Sequence, residues 1–200
     1  SVESAKHVVS AADFVMKDLN RHQESDGSFC FSYSPFDLEM VFNASMKGVR
    51  LLSQAYAISG NQEYISTAAQ AVKWVMKHQN ADGAWIYSQR ETGKWVDNYH
   101  TGYILDCLDT YITLSGDNMF TSGLNKGLSY YTANFITDEG LPKFYDKVAY
   151  PVDCTAAGQT LLTLVRFHKT NEAIKVAHWM HRHMQDESGH FYFRKYKSHT

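Results

Sequence analysis

The stretch HQNADGAWIYS, residues 78–88, decides how the rest of the chain is read. A helical segment ends at Gln79, Asp82-Gly83 marks a turn, and Trp85 follows almost at once. The pattern recurs as HQESDGSFCFS from His22, as MQDESGHFYFR from Met184, and more loosely as TDEGLPKFYD from Thr137. The turn glycines fall at 27, 83, 140 and 189, giving intervals of 56, 57 and 49 residues. Spacing of that order marks a repeated supersecondary unit, so the architecture follows from the unit.

Each unit reads as helix, glycine turn, aromatic loop, helix. In STAAQAVKWVMKHQ, the residues Ala68, Val72, Val75 and Met76 form a single stripe at helical spacing. Asn80 to Gly83 then stop the helix, with glycine free to take the left-handed conformation. The next helical segment, YHTGYILDCLDTYITLSGDN, is apolar on more than one face, as a helix covered on both sides must be. The same alternation recurs in DLEMVFNASMKGVRLLSQAYAISGN and in CTAAGQTLLTLVRF followed by NEAIKVAHWMHRHM. Alternating buried and half-buried helices predict an inner and an outer ring. The expected fold is all-α: an α/α toroid of antiparallel hairpins, with four outer and three inner helices. No substantial sheet is expected, although HFYFRKY suits a short strand. A closed ring of six hairpins needs more chain, so residues 1–200 read as one domain that is a piece of a longer chain or an open ring.

Bulk properties narrow the function classes. A net charge of −2 with no run of Lys or Arg gives no case for nucleic acid or an anionic membrane. No apolar run approaches the roughly 20 residues that span a bilayer. The opening SVESAKHVVS lacks the basic start and apolar stretch of a secretory signal. Cys30, Cys107 and Cys154 form no CxxC pair, which suits a reducing compartment and a cytoplasmic location. A core can absorb many of the 13 Tyr, 11 Phe and 4 Trp, but Tyr at this level also points to a wet, aromatic-lined cleft.

QNADGAW, from Gln79 to Trp85, fits the Gln-x-x-x-Gly-x-Trp pattern of terpene cyclases, and QESDGSF and QDESGHF fit it with Phe last. The sequence has none of the Asp-rich clusters of cyclase chemistry, so the resemblance implies the fold and not that activity. A second stretch, WIYSQRETGKWVDNYHTGYILDCL from Trp85 to Leu108, is similar to the helical domain of glucuronyl C5-epimerases. Those carry a Tyr-then-Arg loop and an Asp-Tyr-His-Thr run entering a helix; here Asn98 stands between Asp97 and Tyr99. More widely the chain resembles helical-barrel sugar enzymes, and the resemblance implies an oligo- or polysaccharide partner containing uronic acid. The implied chemistry is C5 epimerisation, elimination or hydrolysis.

Aligning the units on their period places DNYHTGYILDCL over DCTAAGQTLLTL, with Asp97 and Asp153 56 residues apart. These loops enter inner helices and open at one mouth of the ring. Two carboxylates there suit general acid and base, or anchors for sugar hydroxyls. A repeated position favours the plainer reading, that each is an N-terminal helix cap. Tyr99 and His100 occur in one copy, where the next has Thr155 and Ala156, so the fold does not demand them. They are the candidate bases for a proton beside a uronic carboxylate, and Arg90 is the candidate cation for that carboxylate. The aromatics Tyr87 and Tyr145, with Tyr33 and Lys147, are the candidate sugar-binding rim; inter-unit packing is the competing account, strongest for Phe31 and Phe193. In HWMHRHM, His178 and His181 share a helix face, but no third ligand accompanies them, so no metal is expected, and no cofactor. A binding or scaffold module that holds a glycan or a protein without turning it over is the alternative function, and oligomeric state is left open.

Overall fold

A computed structural model describes residues 2–197. Seven α-helices carry the described residues: α1 (Val2–Lys17), α2 (Phe42–Ser59), α3 (Gln62–Lys77), α4 (Asn98–Ser115), α5 (Thr121–Phe135), α6 (Cys154–Arg166) and α7 (Thr170–Met184). Four short strands pair as two antiparallel ribbons, β1 (Arg21–Gln23) with β2 (Phe29–Phe31), and β3 (Val152–Asp153) with β4 (Arg194–Lys195). The β4 segment lies within the stretch expected to extend; the β1–β2 ribbon was not legible, because three-residue strands show no period.

Helix α4 packs against both α2 and α6, while α1, α3, α5 and α7 each lie against an inner helix. The alternation read from the sequence is therefore the observed one: α2, α4 and α6 inside, α1, α3, α5 and α7 outside. Ala68, Val72 and Val75 bury the inward stripe of α3. Ile104, Leu105, Cys107, Leu108 and Tyr111 are buried around α4.

The repeated Gln-x-x-x-Gly-x-Trp segment acts as a clip. Gln79 donates from Nε2 to the carbonyls of Gly83 and Gly123, each at 3.0 Å, so one amide ties the turn to α5. Trp85 is buried and its Nε1 donates back to the carbonyl of Val75 at 3.0 Å. Gly83 has φ +103°, and a Cβ there would stand 2.6 Å from the carbonyl oxygen of Lys126 on α5. Glycine thus serves the turn and the close approach together. Gln185 repeats the bond to Gly189 at 2.9 Å in the last copy.

Between α4 and α6 the packing is polar. Asp106 accepts from Gln159 Nε2 at 2.8 Å and from Thr163 Oγ1 at 3.1 Å, with Arg166 Nε at 3.7 Å. Burial pushes the Asp106 carboxyl above the ordinary carboxylate range, and Gln159, Arg166 and Thr163 act against that rise. Gly102 permits the approach, since a Cβ there would meet Gln159 Cγ at 2.9 Å.

Candidate functional site

The loop Tyr87–Val96 ends on Asp97, which caps α4 by accepting from the backbone N–H of His100 at 2.8 Å. Asp97 is almost fully buried, and its carboxylate also receives His100 Nδ1 at 2.7 Å. Trp95 Nε1 donates to the same Oδ2 at 2.9 Å. The capping and functional readings of Asp97 are therefore compatible: one carboxylate starts the helix and orients the imidazole three residues into it. A carboxylate oxygen accepts, so this pairing favours the tautomer with the hydrogen on Nδ1, which leaves Nε2 as the acceptor.

Around that dyad the rings are ordered. Tyr87 stacks on Trp95 with centroids 4.7 Å apart and 9° between planes, and meets His100 edge-on at 4.6 Å. Burial raises the Tyr87 hydroxyl above its usual range, helped by Tyr33, Glu39 and Asp97. Tyr99 packs against His100 at 5.4 Å and against Tyr103 at 4.8 Å. Tyr103 donates its hydroxyl hydrogen to Tyr99 Oη at 3.1 Å, and that bond, then burial, pushes Tyr103 up to about 12. Tyr103 therefore stays protonated at neutral pH, and Tyr99 keeps its own O–H for another acceptor.

Asn98 buries its side chain rather than facing the mouth. Its amide donates to Lys143 O at 2.9 Å and Thr160 Oγ1 at 2.8 Å, and its Oδ1 accepts from the buried Tyr131 hydroxyl at 2.6 Å. The residue that departs from the epimerase-like run is thus the knot joining α4, α5 and α6, and it leaves Tyr99 and His100 in the first turn of α4.

The other candidate residues divide. Tyr145 pairs its backbone with Asp97 through an isolated bridge, so the third unit's loop adjoins the dyad. Arg90 pairs with Glu39 at 2.6 Å. Tyr33 is 60% exposed and lines a cavity of about 480 Å³ between α1 and α2. Lys147 is exposed, and among the described residues no ion pair joins it to the others. Asp153 caps α6 by accepting from Thr155 N at 3.0 Å and Ala156 N at 3.2 Å, and takes Arg194 Nε at 2.9 Å. Burial alone would raise its carboxyl, but the hydrogen bonds from Thr155 and Arg194 and from the two amides hold it below the ordinary range.

Trp95, Tyr103 and Glu39 were missed in sequence. Trp95 left one signal, a large aromatic ring inside the polar loop SQRETGKWVDN. Glu39 acquires meaning only through Arg90, far along the chain, and Tyr103 only through its bond to Tyr99 one turn before it.

Comparison with solved structures bears on the fold. The chain matches cellobiose 2-epimerase from Bacillus thermoamylovorans with a TM-score of 0.76 at 8% identity, covering 97% of this chain and 58% of that one. It matches unsaturated glucuronyl hydrolase from Bacillus sp. GL1 with a TM-score of 0.71 at 11% identity, covering 93% and 58% respectively. An α-mannanase of Bacteroides thetaiotaomicron aligns with a TM-score of 0.70 at 12% identity, covering 95% and 54%. The fold is an α/α toroid. The chain spans 54% to 58% of the length of these structures. No family model matches the sequence, and no curated protein matches it by sequence. No helix among the described residues is long and apolar enough to cross a membrane.

Proposed function

We propose that the protein acts on an oligo- or polysaccharide containing uronic acid, and that His100 is the base that removes the C5 proton. The observation carrying this reading is the Asp97–His100 pair at 2.7 Å, set beside the stacked faces of Tyr87 and Trp95. A buried carboxylate on Nδ1 directs Nε2 to accept a proton and stabilises the imidazolium that forms. Stacked aromatic faces suit the apolar C–H face of a pyranose. Fold does not dictate function, yet chains of this fold that are named as a sugar epimerase and as a hydrolase of unsaturated glucuronyl units support the substrate class.

The chemistry balances with groups of this chain. In elimination, the C5–H bond breaks to His100, the C4–C5 double bond forms, and the C4 oxygen departs with a proton from Tyr99. In epimerisation, His100 takes the C5 proton on one face and Tyr99 returns one on the other. Hydrolysis by a carboxylate pair is less well supported, because Asp153 is committed to its cap and to Arg194. We also propose that residues 1–200 form an arc of a longer ring. The α4 face that receives α6 at Gly102 recurs on α6 at Gly158, Leu162 and Val165, and the last two are 66% and 65% exposed.

The test is solvent exchange at C5. Incubating the protein with uronic-acid oligosaccharides in heavy water and following the C5 proton by NMR should show its loss, abolished by His100→Gln and by Tyr99→Phe. Binding without exchange in the unaltered protein would instead favour a glycan-holding module.

A further inference from the structure

The repeat that singled out Tyr99 also relates Tyr99 and its partner Tyr103 to two residues one unit earlier. Subtracting the 56-residue period places Asn43 where Tyr99 stands and Lys47 where Tyr103 stands. Both lie one turn apart on α2. The structure brings the pairs together: Lys47 Nζ sits over the Tyr103 ring, 3.8 Å from its centroid. Tyr103 in turn holds Tyr99, so Lys47 is two side chains from the face of His100.

Lys47 is exposed, and among the described residues it enters no ion pair. Its ammonium therefore keeps donors free, in contrast to Arg90, whose guanidinium is engaged by Glu39. Asn43 carries the opposite deficit: it is 7% exposed and its Oδ1 is buried with no hydrogen-bond partner. A buried acceptor without a donor is costly, and a ligand that supplies the donor recovers that cost. Asn43, Lys47 and Tyr33 line the same cavity of about 480 Å³, whose opposite wall is the apolar side of α1 at Phe14 and Val15.

A cation, an unsatisfied acceptor and apolar walls describe one chemical class of ligand, a sugar ring that bears a carboxylate and free hydroxyls. We infer that Lys47 and Asn43 form an acidic-sugar subsite beside the His100 dyad, with Lys47 binding a uronate carboxylate and Asn43 Oδ1 accepting a ring hydroxyl. This deepens the reading of the same mouth as a uronate site and rests on it. Lys47 then serves as a specificity residue, because the Coulombic attraction discriminates a carboxylate from a hydroxymethyl group in its place.

The experiment titrates the full chain by calorimetry with tetramers of glucuronate, galacturonate and mannuronate, each beside its carboxyl-reduced counterpart. The expected result is that at least one uronate binds about tenfold more tightly than its reduced form, the effect of one charge-assisted hydrogen bond. Lys47→Gln removes that preference without changing affinity for the reduced tetramer, and Lys47→Arg retains it. Asn43→Leu, which deletes an unpartnered acceptor and should leave the circular dichroism unchanged, weakens both forms. A preference that survives Lys47→Gln overturns the subsite and leaves the His100 reading to the exchange test. No preference in the unaltered protein also overturns the subsite, while C5 exchange on the same uronates decides the His100 reading separately.

Discussion

The carboxylate of Asp97 holds the backbone N–H and the Nδ1 of the same residue, His100, at 2.8 and 2.7 Å. The helix start and the imidazole orientation therefore depend on a single side chain. Asp97→Asn keeps an acceptor for the backbone N–H, because Asn caps helices about as well as Asp. Its amide cannot hold a charged imidazolium as a carboxylate does. Turnover should fall by about 10² to 10⁴, the range of general-base contributions, with the thermal midpoint nearly unchanged. Asp97→Ala should lose the same activity and, in addition, about 1 kcal/mol of stability in a urea titration.

Trp95 offers one face to Tyr87 and its Nε1 to Asp97. Trp95→Ala should weaken sugar binding by about 3- to 10-fold through loss of the stacked face. Trp95→Phe should restore most of the binding while leaving turnover reduced, since the bond to Asp97 stays lost. Comparing KM with kcat across the two variants separates the contributions.

The acid limb of stability should report on Asp153. Its carboxyl is held below the ordinary range by Thr155, Arg194 and two amides, against the opposing effect of burial. A depressed folded-state value means that the ionised form contributes stability above the unfolded value of about 3.9, and that this is lost as pH falls through the folded value. The unaltered protein should exceed Asp153→Asn in thermal midpoint above about pH 5. The gap should narrow toward pH 2, so melts across that range give a steeper acid decline for the unaltered protein.

Two glycines with similar backbones should respond differently to alanine. Gly60 has φ +72° and no atom within 4 Å of a Cβ, whereas Gly83 has φ +103° and the Lys126 carbonyl at 2.6 Å. Gly60→Ala should cost about 1 kcal/mol, from the left-handed conformation alone. Gly83→Ala should cost at least about 1 kcal/mol more, because α5 must also move. Urea denaturation of the two variants checks the difference.

Much of this protein was legible along the chain. The helix stripes of α3 and α4, the glycine turns and the two Asp caps are set by interactions within a few residues, so the sequence alone determined the number of helices, their alternation and the helix start that carries Tyr99 and His100. The 56-residue period added which loops are equivalent, because equal units stack equivalently. What only the tertiary structure decided is the pairing of side chains across helices. Glu39 meets Arg90, Lys47 covers Tyr103, and Gln159 meets Asp106 across gaps of 51, 56 and 53 residues. No local pattern encodes such partners, since each depends on how far two packed helices are rotated and offset. The sequence therefore named the candidate base, and the packing of α2 against α4 decided that Lys47 covers Tyr103.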